Sequence, residues 1–263
     1  MSKIKIVSFN LRCVWNQEKK NSFIHRAGLI YDKIGREMPD VIAFQECTPK
    51  IMELMEKMFP EYAFCGQYRS ENYWGEGLFV AVKKEAWRVI SHESFWISPT
   101  PYVAGSRFPI QSDCPRICNV VQIRRKESGE MLRIFNIHLD HISDEARIEG
   151  IKCVMGKVEE YNSRLSLPSV ILGDFNAGPE CSTIKFCNEY EKTPICDVTK
   201  DIPLTYHGFG GLLIPEWEKI DYIYVSDGLE RSLTDVGIWD TVSDGIYLSD
   251  HYPVYADFDL GGE

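Results

Sequence analysis

Apolar and polar positions along this chain follow two periods, and the switches between them mark its elements. Ile4 to Phe9 reads as a strand. From Ser22 to Met38 the residues Ile24, Ala27, Ile30, Tyr31 and Ile34 recur at helical spacing, and Pro39 stops the run. Val41 to Phe44 is a short, wholly apolar strand. Thr48-Pro49 sets a capping residue before a proline at the first helical position, predicting a helix through Met58 whose Ile51, Leu54, Met55 and Met58 stripe is core. The middle is β-rich, with strands predicted at Leu78 to Val82, Arg88 to Trp96, Ile117 to Arg124 and Leu132 to His138. The last two are joined by a hairpin-like turn, Lys126-Glu127-Ser128-Gly129-Glu130. A helix from Ser143 to Arg164 follows, then strands at Ser169 to Leu172, Ile220 to Val225, Leu233 to Trp239 and Pro253 to Leu260. Trp15 and Trp96 read as core. No repeat, low-complexity tract or Gly/Ser linker divides the chain. The expectation is one domain over residues 1–263 with two packed sheets flanked by helices.

Composition narrows the class. A chain of 263 residues with 44% hydrophobic and 26% charged residues is ordinary for a folded globular protein and excludes a disordered one. No stretch approaches the ~18 apolar residues of a membrane span. The apolar run at the N-terminus is too short for a signal peptide. Nine cysteines, an odd number without a C-x-x-C pair, read as reduced thiols acting as small hydrophobes in a cytoplasmic protein. Cys114 and Cys118 have no histidine cluster beside them to suggest zinc. With 29 Lys+Arg against 39 Asp+Glu the net charge is −10, which argues against long, non-specific nucleic-acid binding. Arg124-Arg125-Lys126 sits at the hairpin turn, where it reads as a solvated tip.

The chemistry-bearing residues gather where strands end. Asn10 ends the first strand, and Glu46 follows Val41 to Gln45. His138, Asp140 and His141 end the strand from Leu132; Asp174 and Asn176 follow Val170 to Gly173; Asp250 and His251 precede the closing strand. Asp221 lies inside an otherwise apolar strand, where an unpaired carboxylate costs several kcal/mol, so it needs a cation or a protonated imidazole as partner. Oxygen ligands such as Glu46 and Asp250 suit Mg²⁺. Histidines beside carboxylates exchange protons near neutral pH, and the Asn176 amide can donate to a developing negative oxygen.

In that order, Ser8-Phe9-Asn10, Gln45-Glu46, Asn136 to His141, Gly173-Asp174-Phe175-Asn176, Ile220 to Ile223 and Ser249 to Val254 resemble the endonuclease/exonuclease/phosphatase superfamily, the metal-dependent group that includes deoxyribonuclease I. Asn136 to His141, Thr205 to Phe209 and Cys114-Pro115-Arg116 resemble an uncharacterised bacterial subgroup of it. The resemblance implies an α+β, four-layer α-β-β-α sandwich of two mostly antiparallel sheets. It implies Glu46 as the main ligand of Mg²⁺, for which Mn²⁺ can substitute, with Asn10 supporting it and Asp250 near the metal. It further implies that Asp174 positions or activates the attacking water, that Asn176 holds the phosphate, that His251 with Asp221 forms an acid/base dyad, and that His138 contacts the scissile phosphate. By the same resemblance Asp140 and His141 either support the site residues from behind or line the substrate pocket. The implied reaction is in-line attack of water on a phosphoester. A catalytically inactive phosphate- or nucleotide-binding module of the same fold is the alternative.

Several residues carry a substrate-contact reading beside a plainer one. The loop Gln67 to Gly77, with Trp74, stacks a base or sugar ring or is ordinary surface. Arg116 reaches a phosphate or forms a structural salt bridge, and His207 with Phe209 forms a candidate pocket wall. With Glu46, Asp140, Asp174, Asp221 and Asp250 set aside the chain is still net negative, which favours a small or short phosphoester over long duplex DNA. No apolar membrane-docking hairpin and no obligate protein partner are indicated.

Overall fold

The computed structural model describes residues 3–13, 19–212, 218–226 and 228–261; Trp15 lies outside them. In chain order the elements are β1 (Lys3–Asn10), α1 (Phe23–Glu37), β2 (Val41–Cys47), α2 (Pro49–Met58), β3 (Tyr62–Tyr68), β4 (Gly77–Lys83), β5 (Trp87–Trp96), β6 (Ile117–Arg125) and β7 (Met131–His138). They continue with α3 (Asp144–Arg164), β8 (Ser169–Asp174), α4 (Ser182–Asn188), β9 (Ile195–Asp197), β10 (Asp221–Ser226), β11 (Leu233–Ile238), β12 (Val242–Ser243), β13 (Ile246–Tyr247) and β14 (Val254–Asp259). One six-stranded sheet runs β11-β14-β1-β2-β4-β3, and a second runs β5-β6-β7-β8-β10-β9. Each is antiparallel except for one parallel pair, β1 with β2 and β7 with β8.

The two-residue period of a strand explains the layering. In β1, Ile4 and Ile6 face the second sheet, while Val7 and Phe9 face helices α1 and α2. The second sheet repeats this pattern: Leu132, Ile134, Val170, Leu172, Ile223 and Val225 meet the first sheet. Phe135, Ile137, Ile171, Tyr222 and Tyr224 pack on Ile151, Val154 and Val158 of α3 and Ile184 of α4. The result is the expected α-β-β-α sandwich. Strands buried on both faces read as continuous apolar runs, and fully burying each such side chain contributes roughly 1.5–3 kcal/mol.

Towards one end of the sandwich the inter-sheet positions turn polar. Continuing the parity, Ser8 and Asn10 of β1, Gln45 of β2, Asn136 and His138 of β7, Asp174 of β8 and Asp221 of β10 follow the residues of the inter-sheet core. Asn136 clasps the sheets together: its Nδ2 donates to the carbonyls of Phe44 at 3.0 Å and Phe79 at 3.2 Å, and its Oδ1 accepts from Gln45 Nε2 at 2.9 Å. These bonds pin the sheet spacing where the candidate chemistry sits.

Some expectations shift. Tyr62 to Tyr68 forms β3 although its mixed Gly, Gln and Cys content breaks the apolar run, and the short elements α4, β9, β12 and β13 lacked a periodic signature. Gln67 and Tyr68 therefore belong to a strand and not to the loop. Asp221 opens β10 instead of lying within it. Thr48 occupies the N-cap of α2 in extended conformation, but its side chain makes no capping hydrogen bond. Among the described residues no helix is long and apolar enough to cross a membrane. No cysteine is disulfide-bonded.

Candidate active site

Strand register brings three of the predicted residues side by side. Asp174 is the residue opposite His138 in the parallel β7–β8 pair and opposite Asp221 in the antiparallel β8–β10 pair. Gly173 permits this close approach: at φ +144° a Cβ there would lie 1.9 Å from the Ile137 carbonyl oxygen. From the other sheet Asn10 reaches across, its Nδ2 donating to Asp174 Oδ2 at 3.0 Å and to Glu46 Oε1 at 3.2 Å. Glu46 Oε2 accepts the Cys13 N–H at 2.8 Å.

Strict alternation would turn Glu46 toward the helices, with Ile42 and Phe44. The backbone redirects it. Glu46 has φ +58°, and the β2–β4 register shifts between Phe44 and Cys47. Asn176 is likewise left-handed at φ +49°, its N–H closing on Asp174 Oδ1 at 2.8 Å and its Nδ2 donating to the Leu139 carbonyl at 3.1 Å. An Asn adopts this conformation readily, whereas for Glu46 it costs on the order of 1 kcal/mol.

His251 Nδ1 donates to Asp221 Oδ2 at 2.8 Å, and His251 Nε2 lies 3.9 Å from Asp174 Oδ2. His138 Nε2 lies 3.4 Å from the same oxygen. Ligand atoms of Asp174, Asp221 and His251 all fall within 4.8 Å of one another, and all three residues are buried. The Asp250 Oδ2 faces Arg12 Nε at 3.4 Å, and its Oδ1 accepts from Ser249 Oγ at 3.1 Å.

These neighbours set the protonation states. Burial works against the His251 imidazolium, but the carboxylates of Asp221, Asp174 and Asp250 outweigh it and raise the pKa to about 10. Burial, reinforced by the Asp221 carboxylate, pushes Asp174 up to about 7. Asp250 is raised by burial and by the Glu46 charge. Burial also opposes ionisation of Glu46, yet the Cys13 N–H, Arg12, His251 and Asn10 hold it below the usual carboxylate range. His138 is driven well below its ordinary value by burial and then by Arg116 and Arg69. At neutral pH the site thus pairs a protonated His251 with a neutral His138.

A cleft of about 450 Å³ collects Glu46, His138, His141, Asp174, Asn176 and His251, together with Arg116. It also includes Arg12, Arg69, Glu76 and Tyr206, which no periodic signal singled out. Arg69 Nη2 pairs with Glu76 Oε2 at 2.7 Å across the loop between β3 and β4. The Tyr206 ring lies 4.9 Å from that of His251.

Three residues read as substrate contacts, Trp74, His207 and Phe209, sit outside the cleft lining, and Asp140 takes the supporting position of its two readings. The buried Asp140 carboxylate is consumed locally, accepting from the Ser112 N–H and hydroxyl and from the N–H groups of Ile142 at 3.0 Å and Ser143 at 2.8 Å. It staples the strap before β6 to the start of α3. His207 is 0% exposed. Its Nδ1 accepts from Gly210 N–H at 3.0 Å and its ring stacks on Tyr252 at 4.1 Å, so alternation sends Tyr206 and not His207 to the cleft. Phe209 lies over the Arg26 guanidinium at 5.5 Å. Trp74 is 57% exposed and lies outside the cleft lining, while Trp96 is buried as expected.

The donor set fits a hard divalent cation. Glu46, Asp174, Asp221 and Asp250 crowd carboxylate oxygens into one buried region, and the raised pKa values of Asp174 and Asp250 mark negative charge short of compensation. The Asp174–Asp221–His251 trio is arranged as a hydrogen-bonded ion pair, so a cation seated on the imidazole would first have to displace its proton. Among the described residues the Glu46 side, with Asp250 and the bridging Asn10, holds no imidazole within hydrogen-bond reach, its cationic neighbour being Arg12 at 3.4 Å from Asp250.

The same fold recurs in solved structures. A Bacteroides vulgatus protein described as an endonuclease/exonuclease/phosphatase matches at TM-score 0.90 and 24% identity, covering 99% of this chain and 100% of that one. A mannosyl-6-phosphatase of Bacteroides thetaiotaomicron matches at TM-score 0.85 and 24% identity, over 96% of this chain and 98% of that one. TDP2 of D. rerio, complexed with a single-strand DNA product, matches at TM-score 0.76 and 18% identity, over 99% and 100%. No curated protein sequence matches. The family model described as "Endonuclease/Exonuclease/phosphatase family" matches residues 7–251, from the second half of β1 to His251 itself, and this chain belongs to that family.

Proposed function

We propose that the protein is a Mg²⁺-dependent phosphoester hydrolase. One observation carries the reading: ligand atoms of buried Asp174, Asp221 and His251 lie within 4.8 Å of one another, at the inter-sheet end where Asn10 joins Asp174 to Glu46. Similar folds include a mannosyl-6-phosphatase and TDP2 with a DNA product, so the fold supports phosphoester chemistry without choosing between its classes.

Glu46, with Asp250 near it and Asn10 holding its orientation, is the proposed cation site. The bound cation supplies charge neutralisation on the phosphoryl oxygens. Asp174 orients the attacking water and takes its proton, a role suited to a carboxyl poised at about 7. As the water oxygen bonds to phosphorus, the ester P–O bond breaks in line and the leaving oxygen is protonated from the solvent side of the cleft. His251, kept charged by Asp221, donates its Nε2–H to a phosphoryl oxygen and so stabilises the charge gathering there. Asn176 and neutral His138 hold the phosphate. Arg116 and His141 line the same cleft as substrate contacts. The net charge of −10 supports a small or short phosphoester in preference to long duplex DNA.

The test is turnover of a panel of short DNA, short RNA, nucleotides and sugar phosphates with Mg²⁺ or Mn²⁺, and the same panel in EDTA. Metal-dependent hydrolysis is expected. A folded sample that turns over nothing under any metal condition refutes the reading.

A further inference from the structure

Three arginines line the cleft, and two have carboxylate partners: Arg12 faces Asp250 and Arg69 pairs with Glu76. Arg116 differs. It is 4% exposed and lies just before β6. Its Nη2 meets His141 Nδ1 at 3.0 Å, whereas its buried Nε and Nη1 meet no hydrogen-bond acceptor. Among the described residues no carboxylate forms an ion pair with it. A buried guanidinium with unused N–H groups is costly unless its partner arrives from outside. The unused donors call for oxygen acceptors, and the charge calls for an anion.

The position is built, not incidental. Gln111 Nε2 donates to the Cys114 carbonyl at 2.6 Å, and Asp140 holds Ser112 by both its N–H and its hydroxyl. Pro115 then fixes the backbone immediately before Arg116. Arg116 also lines a small recess of about 10 Å³ with Glu46, Arg69, Glu76, Leu78, Ile117 and His138.

We propose that Arg116 selects phosphomonoesters. This rests on the hydrolase reading above and names its substrate class. A monoester phosphate carries two negative charges and three terminal oxygens, enough to satisfy Arg116 together with His251 and Asn176. A diester carries one charge and two terminal oxygens, which leaves Arg116 short of acceptors once His251 and Asn176 are satisfied. Arg116 is therefore a specificity-determining contact, and His141 positions it.

Two readouts test this independently. Binding of phenyl phosphate and diphenyl phosphate is measured calorimetrically in EDTA, and kcat/KM is measured on p-nitrophenyl phosphate and bis-p-nitrophenyl phosphate with Mg²⁺. Wild type is expected to favour the monoester in both. Arg116→Gln is expected to weaken phenyl phosphate binding and monoester kcat/KM about 100-fold and the diester values less than about 10-fold, the scale of a lost buried charge partner. Arg116→Lys, which keeps the charge and covers the case of a poorly folded Gln variant, is expected to recover part of the loss. Equal losses on both ester classes, or a wild-type preference for the diester, overturn the proposal. If neither ester is hydrolysed while Arg116-dependent binding of the monoester persists, the hydrolase reading fails and the monoester selection stands.

Discussion

Replacing Asp174 by Asn should make the metal-free protein more stable and catalytically dead. The unfolded chain releases this proton near 3.8, and the folded one holds it to about 7 because the carboxyl is buried beside Asp221. Folded-state stability is therefore lost as the pH rises between those values, and above about pH 7 the cost is fully present. The difference in pKa corresponds to about 4 kcal/mol. The amide removes the charge but returns part of the gain. It keeps an oxygen for the Asn176 N–H and loses the acceptor that Asn10 Nδ2 uses at 3.0 Å, about 1 kcal/mol. It also withdraws a carboxylate that supports the His251 imidazolium. The net expectation at about pH 8.5 is a gain of about 2 kcal/mol, or about 5 °C in Tm for a protein of this size.

The assay is thermal unfolding of wild type and Asp174→Asn in EDTA at about pH 8.5 and about pH 4, where wild-type Asp174 is protonated in the folded protein and the advantage should largely vanish. Millimolar Mg²⁺ at the higher pH should raise the Tm of wild type more than that of the variant, because the cation compensates charge that the variant no longer has. A variant that is no more stable at either pH, or a difference that does not change with pH, refutes the claim that Asp174 carries uncompensated charge. Activity lost with stability gained is the signature of a carboxylate kept for chemistry.

Other perturbations separate the remaining roles. Glu46→Ala and His251→Ala should each reduce kcat on any accepted phosphoester by at least about 1,000-fold with the far-UV circular dichroism unchanged; near-normal kcat in His251→Ala would break the dyad assignment. Burial, helped by the His251 charge, lowers His207 to about 4. Its contribution of about 3 kcal/mol should be lost as the pH falls from about 6.5 to about 4, with its imidazole resonances titrating near the lower value; titration near 6.5 contradicts the buried neutral ring. Asp140→Ala should cost about 2 kcal/mol and speed amide exchange at Ser112, Ile142 and Ser143; unchanged exchange there would mean the carboxylate does not hold the strap.

How far the site was legible depended on backbone regularity. Asn10, His138, Asp174 and Asp221 were readable because each continues a strand whose alternation is set by its apolar residues, so their common face follows from parity. Glu46 was readable by type and position but not by direction, since its left-handed backbone overrides the parity of β2. Tyr206 and His207 are adjacent, and only a bridge to His251 decides which of them meets the cleft. Asp140 and His141 pose the same ambiguity: one carboxylate is absorbed by local N–H groups, while the neighbouring ring reaches Arg116. Edge strand β3 escaped notice because its half-buried residues do not form an apolar run.

The acidity of the chain also changes meaning once charges have places. A net charge of −10 weighs against long polyanions, yet it says nothing about the cleft, where three arginines and a protonated His251 face four carboxylates. Local arrangement decides the chemistry there. The acids Glu46, Asp174 and Asp221 gather on one side, whose oxygen donors fit a cation, while the guanidinium without a carboxylate partner lies on the Arg116 side, whose unused N–H groups fit an anion. A phosphate held between a cation and an arginine satisfies both demands at once, whereas either ligand alone leaves one buried charge uncompensated. Cation and phosphate should therefore bind with positive coupling, each raising the affinity for the other by the same factor.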